Sequence, residues 1–212
     1  MSIYIVTMRQ KNKLSNTCVV GIVDSTAALS AANMLSKDSV DCLEWRAGCL
    51  PGGLRVPPSV FSWVLTVRHF LEGGKRELSA KKREEIFASH LPAASFVDIE
   101  LRSFRPLARI IASARDRRIQ VVASFHDFKK TPSPGKLRDL VMQAGDQGAD
   151  IFKIATRTDS PADVGRLLDL FQVGKIPLSV MRMTHCSVGP WPITSQVMPV
   201  ASANSLHAFC SC

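Results

Sequence analysis

Asp150-Ile151-Phe152-Lys153-Ile154-Ala155-Thr156 is an apolar run with a lysine at its centre, and the segments on either side, Leu137 to Gln147 and Ala162 to Phe171, carry helical spacing. Helix, short apolar strand, helix is the pattern of a parallel βα unit. The lysine is the anomaly within it. Burial makes an ammonium costly and lowers its pKa, so Lys153 is a candidate Schiff-base nucleophile. A lone strand lysine can also snorkel its amine to the surface, so it needs a companion. Upstream, Val121-Val122-Ala123-Ser124-Phe125-His126-Asp127-Phe128 ends another apolar strand with a histidine suited to proton transfer.

The same alternation extends outward. Apolar or β-branched runs recur at Cys18 to Val23, Cys42 to Arg46, Val64 to Arg68, Phe96 to Leu101, Gln120 to His126, Ile151 to Thr156 and Ile176 to Met183, which predicts seven strands. Ala27 to Leu35 and Leu107 to Arg117 add helical segments between them. The clusters Pro51-Gly52-Gly53 and Thr131-Pro132-Ser133-Pro134-Gly135 read as loops.

Successive strand residues point to opposite faces. Leu43 and Trp45 oppose Glu44 and Arg46; Leu65 and Val67 oppose Thr66 and Arg68; Val97, Ile99 and Leu101 oppose Asp98 and Glu100; and His126 shares the Ser124 face, opposite Ala123 and Phe125. An antiparallel sheet with one wet face gives the same alternation, but the intervening helices argue for parallel strands. In a barrel of such strands the apolar parity packs under helices. The other parity brings Glu44, Arg46, Arg68, Asp98, Glu100, His126 and Lys153 together near the axis. That collection is too costly to bury for packing alone, and points to a charged substrate or to catalysis.

Composition narrows the class. A chain of 212 residues, 46% hydrophobic, suits one large core and reads as a single domain over 1–212. The opening Met1-Ser2-Ile3-Tyr4-Ile5-Val6-Thr7-Met8-Arg9 lacks the basic flank and small-residue cleavage pattern of a signal peptide, and no run is long enough to span a membrane. Cys18, Cys42 and Cys49, half of the 6 cysteines, sit in or beside apolar strands, where thiols behave as small hydrophobes; this fits a reducing cytosol. The net charge of +9 admits a nucleic-acid partner and attracts anionic metabolites. Its densest cluster, Lys81-Lys82-Arg83, runs straight into Glu84-Glu85 and reads as a solvated helix face, so neither nucleic acid nor membrane is expected as a partner.

The motifs Leu43-Glu44-Trp45-Arg46, Leu65-Thr66-Val67-Arg68 with Glu72-Gly73-Gly74, Asp98-Ile99-Glu100-Leu101, Ser124-Phe125-His126-Asp127-Phe128 with Thr131-Pro132, and Gly148-Ala149-Asp150-Ile151-Phe152-Lys153-Ile154-Ala155 resemble, in order and spacing, those of the type I 3-dehydroquinate dehydratases. The likeness runs from about Cys18 to Met181. It implies a (β/α)8 TIM barrel, a homodimer, and dehydration of 3-dehydroquinate to 3-dehydroshikimate in the shikimate pathway without metal or cofactor; the cysteine usage places this in the cytoplasm. It makes Lys153 the Schiff-base amine and His126 the base and then acid of the proton transfers. It makes Glu44, Arg46 and Arg68 holders of the substrate's hydroxyls and carboxylate, and Met181 and Met183 part of the pocket wall. Glu72 and Glu100 become acids that orient His126 or a loop. Core packing is the equal alternative for the methionines, and a solvated loop carboxylate the preferred one for Glu72.

After Met181 the likeness stops. Residues 182–212 hold no aspartate, glutamate or lysine but contain Cys186, Cys210 and Cys212, and the family's Ser-Arg, Gly-Ser and Pro-Gly-Gln elements are absent. Gly21 stands where the family has a serine, and Arg182, where it has a small residue, points by parity toward the helical shell. Pro190, Pro192 and Pro199 disfavour a helix between Gly189 and Val200. The expectation is a divergent or frame-shifted tail that puts the eighth strand and the C-terminal closure in question. An inactive or impaired barrel is therefore the alternative function. A Schiff-base aldolase and a nucleic-acid binder rank lower, the first because the Ser-Phe-His-Asp-Phe segment matches dehydratases.

Overall fold

The computed structural model describes residues 3–8, 16–173, 176–185 and 193–197. Its strands are β1 (Ile3–Met8), β2 (Asn16–Val23), β3 (Cys42–Arg46), β4 (Ser62–Thr66), β5 (Phe96–Glu100), β6 (Gln120–Asp127), β7 (Ile151–Arg157), β8 (Leu178–His185) and β9 (Ile193–Val197). They form one sheet in chain order. The seven strands from β2 to β8 are parallel, each to the next. These are the seven expected from the sequence, with ends shifted by a few residues. β1 and β9 add an antiparallel strand at either edge. Among the described residues no eighth parallel strand follows β8, and β9 takes that side, so the expectation of a helix-poor, altered ending holds for 193–197. The sheet curls until Cα atoms of β1 come within 8 Å of those of β8 and β9.

Parallel neighbours need crossovers, and helices supply most of them: α1 (Thr26–Ala32), α2 (Ala80–His90), α3 (Ala108–Asp116), α4 (Pro134–Asp146) and α5 (Pro161–Leu168). Serine starts four of the five: the side chains of Ser25, Ser79, Ser133 and Ser160 accept backbone N–H groups of α1, α2, α4 and α5. Such a cap stabilises a helix by about 1 kcal/mol. The α4 start corrects the loop expected at Pro134-Gly135. With Ser133 as cap, Pro134 falls in the first turn, where its missing N–H has no intrahelical acceptor to lose and its fixed φ suits the helix.

The apolar parity forms the main core. Leu43, Trp45, Leu65, Val67, Val97, Ile99, Val121, Ala123, Phe152, Ile154 and Val180 pack under Phe87, Ile111, Ala114, Leu137, Leu140, Val141 and Leu167 of the helices. A smaller cluster of Val20, Cys42, Val64, Ala155, Met181 and Met183 lies on the other parity. That inner face carries the ionisable groups.

Candidate active site

Register decides which inner side chains meet. Ser124 on β6 pairs with Lys153 on β7, and His126 with Ala155, so His126 and Lys153 lie on one face of adjacent strands, offset by one pleat. Asp98 on β5 pairs with Thr66 on one side and Val122 on the other, one pleat from Ser124.

Asp98 is the hub. Arg68, just past the end of β4, donates to it through both terminal nitrogens, Nη1 to Oδ1 at 2.9 Å and Nη2 to Oδ2 at 2.8 Å. Ser124 Oγ donates to Asp98 Oδ1 at 2.6 Å while accepting from Arg68 Nη1 at 2.6 Å. Lys153 Nζ reaches Asp98 Oδ2 at 3.2 Å and lies 3.6 Å from Glu44 Oε2. The apolar surroundings read around Lys153 from its strand therefore hold only on the outer face. On the inner face its amine meets two carboxylates.

Burial pushes the Asp98 carboxyl up, but Arg68 and then Lys153 hold it well below the usual carboxylate range. For Arg68, burial is outweighed by Asp98 and Glu100, and its pKa is raised. Glu44, also fully buried, is pushed up by desolvation and pulled below its ordinary value by Lys153 and Arg46. Neither Glu44 oxygen has a hydrogen-bond donor among the described residues, although Arg46 Nε stands 3.6 Å away. Arg46 Nε, Thr66 Oγ1 and Ser179 Oγ on the same parity also lack hydrogen-bond partners among the described residues. Arg46 is partly exposed and, among the described residues, donates one long bond, 3.4 Å to Gly73 O. The inner face thus presents, beside the lysine, Glu44 oxygens held by ion pairs of 3.6 to 3.9 Å rather than by hydrogen bonds.

His126 has a separate partner. Glu72 Oε2 accepts its backbone N–H at 2.9 Å and lies 3.2 Å from its Nδ1. Arg102 Nε reaches the other oxygen, Oε1, at 3.0 Å. Burial, then Arg68 and Lys153, keep the histidine pKa well below its ordinary value, so the ring is neutral near pH 7 and can accept a proton. Burial and Glu100 push the Glu72 carboxyl up to about 7. Glu72 is only 3% exposed, which overturns the solvated loop carboxylate preferred for it from the sequence. The turn Phe70–Glu72 folds it inward, and two glycines make the fold possible. Gly73 sits at φ +91 with Phe128 over it, 2.8 Å from where a Cβ would stand. A Cβ on Gly74 would meet Arg68 O at 2.4 Å. Phe128 in turn stacks on the His126 ring, centroids 6.3 Å apart.

Glu100 does not touch His126. Its oxygens take His69 N at 2.7 Å, Arg68 Nη1 at 3.4 Å, Ser103 Oγ at 3.0 Å and Arg83 Nη2 at 2.5 Å, so of the two expected tasks it performs the holding of a loop. The partner Arg83 corrects the solvated helix face expected at Lys81-Lys82-Arg83. Lys81 and Lys82 are exposed, but Arg83 is 2% exposed and points to the strand ends. Met181 and Met183 line the inner cluster beside Ala155, and the intervening Arg182 falls on the outer parity, as its position in the strand requires. Asp98 and Ser124 were readable from strand parity as inward groups, but nothing in the sequence marked Asp98 as the hub.

Residues 17–188 match the family described as type I 3-dehydroquinase. Over 158 residues the chain is 30% identical to the 3-dehydroquinate dehydratase of Pyrococcus abyssi, a match spanning 73% of each protein. Among solved structures, the 3-dehydroquinate dehydratase from Enterococcus faecalis superposes with a TM-score of 0.66 at 23% identity, over 77% of this chain and 78% of that one. The 3-dehydroquinate dehydratase from Geobacillus kaustophilus gives 0.64 at 26% identity, over 77% and 72%.

Proposed function

Because the chain belongs to the type I 3-dehydroquinase family, we propose that it acts as a hydro-lyase of the shikimate pathway, converting 3-dehydroquinate to 3-dehydroshikimate through a Schiff base on Lys153 with His126 as proton carrier. The observation that carries this reading is the placement of Lys153 and His126 on one inner face of adjacent strands, with Asp98 bonded to the first and acting electrostatically on the second.

Lys153 passes a proton to water and adds through its neutral amine to the ring ketone; the carbinolamine hydroxyl then takes that proton back and leaves as water, giving an iminium. Neutral His126 takes a proton from the neighbouring carbon, and the electron pair moves into the iminium to give an enamine. Return of that pair expels the hydroxyl one carbon further along, which leaves as water with the proton His126 holds. Hydrolysis of the iminium releases product and amine. Every proton is accounted for by these two side chains and water.

In the same scheme Glu44 accepts substrate hydroxyls with oxygens that make ion pairs but no hydrogen bond among the described residues, and Arg46 meets the carboxylate. Arg68, its fork committed to Asp98, fixes the floor of the site and lends it positive charge. Met181 and Met183 form the apolar wall. Glu72 holds the His126 ring and favours its protonated form between the two transfers. We also propose a single-domain homodimer in the cytoplasm, as the resemblance and the cysteine usage imply.

Two observations favour a second reading, an impaired barrel: β9 runs antiparallel beside β8, and 182–212 lack the family's closing motifs. Borohydride trapping separates the two. Incubation with 3-dehydroquinate and reductant is expected to leave a stable adduct on Lys153 that Lys153→Ala abolishes. Unmodified protein, under conditions that label an intact relative, sinks the first reading and supports the second.

A further inference from the structure

Helix α2 sends one charged side chain inward, and the scheme above does not use it. The guanidinium of Arg83 holds the chain before Arg68 directly, at Val67 O, and after it through Glu100. Its Nε and Nη2 donate to Val67 O at 2.9 and 2.7 Å, and its Nη2 reaches Glu100 Oε2 at 2.5 Å. Its Nη1 donates to Ser103 Oγ at 2.7 Å, and that hydroxyl donates on to Glu100 Oε2 at 3.0 Å. Glu100, so held, accepts His69 N at 2.7 Å through its other oxygen.

His69 is where the turn begins. Its carbonyl accepts Glu72 N at 2.9 Å and Gly74 N at 3.0 Å, and its Nδ1 accepts Leu71 N at 3.1 Å. The turn ends in the carboxylate that holds His126. A continuous set of bonds therefore runs from α2 through Glu100 and His69 to Glu72 and His126. All the side chains that start it, Arg83, Glu100 and Ser103, are buried. A fixed fork on a carboxylate and a carbonyl fixes orientation as well as distance, and a site held this way loses rate when its supports shift by a fraction of an ångström.

We propose that Arg83 is a positioning residue for the His126–Glu72 pair, acting through Glu100 and the His69 turn; this rests on the catalytic reading of His126 above. Other charges face the pair directly: Glu100, Arg68 and Arg102 around Glu72, and Arg68, Lys153, Asp98 and Arg46 around His126. Arg83 bonds instead to the supports of the turn, Val67 O, Glu100 and Ser103.

The test compares Arg83→Gln and Arg83→Lys with the parent chain. In isotope-labelled protein the His126 amide and imidazole resonances report the two bonds to Glu72 without any turnover. Arg83→Gln is expected to move both sets and Arg83→Lys to restore them in part. In the same proteins kcat falls at least about tenfold for Arg83→Gln, while KM stays within about twofold. A merely structural arginine lowers stability and leaves both readouts in place. A folded Arg83→Gln with unmoved resonances overturns the proposal, and so do moved resonances with an unchanged kcat. Should Arg83→Gln not fold, Arg83→Lys, which keeps the charge but not the fork, carries the same two readouts. If the parent chain forms no adduct at Lys153 the catalytic reading fails, while the resonances still decide whether Arg83 holds Glu72.

Discussion

A single oxygen of Glu72 contacts His126 at two points, accepting its backbone N–H at 2.9 Å and lying 3.2 Å from its ring Nδ1. Rotation of the imidazole is thereby tied to the main chain of β6. The pairing also spans 54 residues of sequence, so a loop and a strand share one proton site.

That site makes stability depend on pH. Glu72 binds its proton more tightly folded, with a pKa raised to about 7, than unfolded, near 4.5. The linked stabilisation is complete below the unfolded value and drains away as pH rises through the folded one. Glu72→Gln removes this dependence. Relative to the parent, the variant is expected to gain up to about 3 kcal/mol between about pH 5 and pH 8, because each tenfold difference in proton affinity between the folded and unfolded chain is worth about 1.4 kcal/mol. Urea unfolding across that range checks it, and a flat difference defeats it.

His126 works in the opposite sense. Its pKa is lowered from 6.5, so its linked stability is present above that pH and lost as pH falls. His126→Asn should resist acid better than the parent. It should also retain the borohydride adduct on Lys153 while kcat drops about 10²- to 10⁴-fold. Loss of adduct and turnover together would mean that the histidine serves the amine rather than the proton transfer.

Asp98→Asn leaves the Arg68 fork and the Lys153 amine without their shared carboxylate. Removing one member of a buried ionic network costs about 3–5 kcal/mol. Thermal unfolding near neutral pH should show that loss, and a change under about 1 kcal/mol would mean that Glu44 and Glu100 take over the two cations.

At Gly74 the prediction is steric. A Cβ there meets Arg68 O at 2.4 Å, and that atom is backbone and cannot turn aside. Gly74→Ala should therefore displace the Glu72 turn and lower kcat by at least about tenfold, with most of the loss recovered in no single side-chain revertant near Phe128. Gly73→Ala differs, because its clash is with the tip of Phe128. The variant Gly73→Ala with Phe128→Leu separates that clash from the strain of φ +91, and steady-state kinetics on the two glycine variants decides.

Strand parity made much of this legible. Glu44, Asp98, Ser124, His126 and Lys153 alternate with apolar neighbours that need a helix against them, so their inward direction follows from the pleat. Glu72 was marked by the resemblance alone, because it lies in a turn, where no period tells inside from outside. Arg83 escaped because three adjacent cations look alike until the helix phase is known; α2 turns Arg83 in and leaves Lys81 and Lys82 out. The antiparallel strands were missed for another reason. Ile3–Met8 and Ile193–Val197 add to the edges through main-chain pairing, and backbone hydrogen bonds leave little mark on side-chain pattern.

The antiparallel edges give the curled sheet a seam, and the hub of the site lies away from it. Asp98 is carried by β5, the middle strand of the seven, with three parallel neighbours on either side before β1 or β9 is reached. Fraying at the join must cross those ladders before it loosens the hub. Amide exchange should slow from both margins toward β5, so the carboxylate that joins Arg68 to Lys153 sits in the last part of the sheet to open.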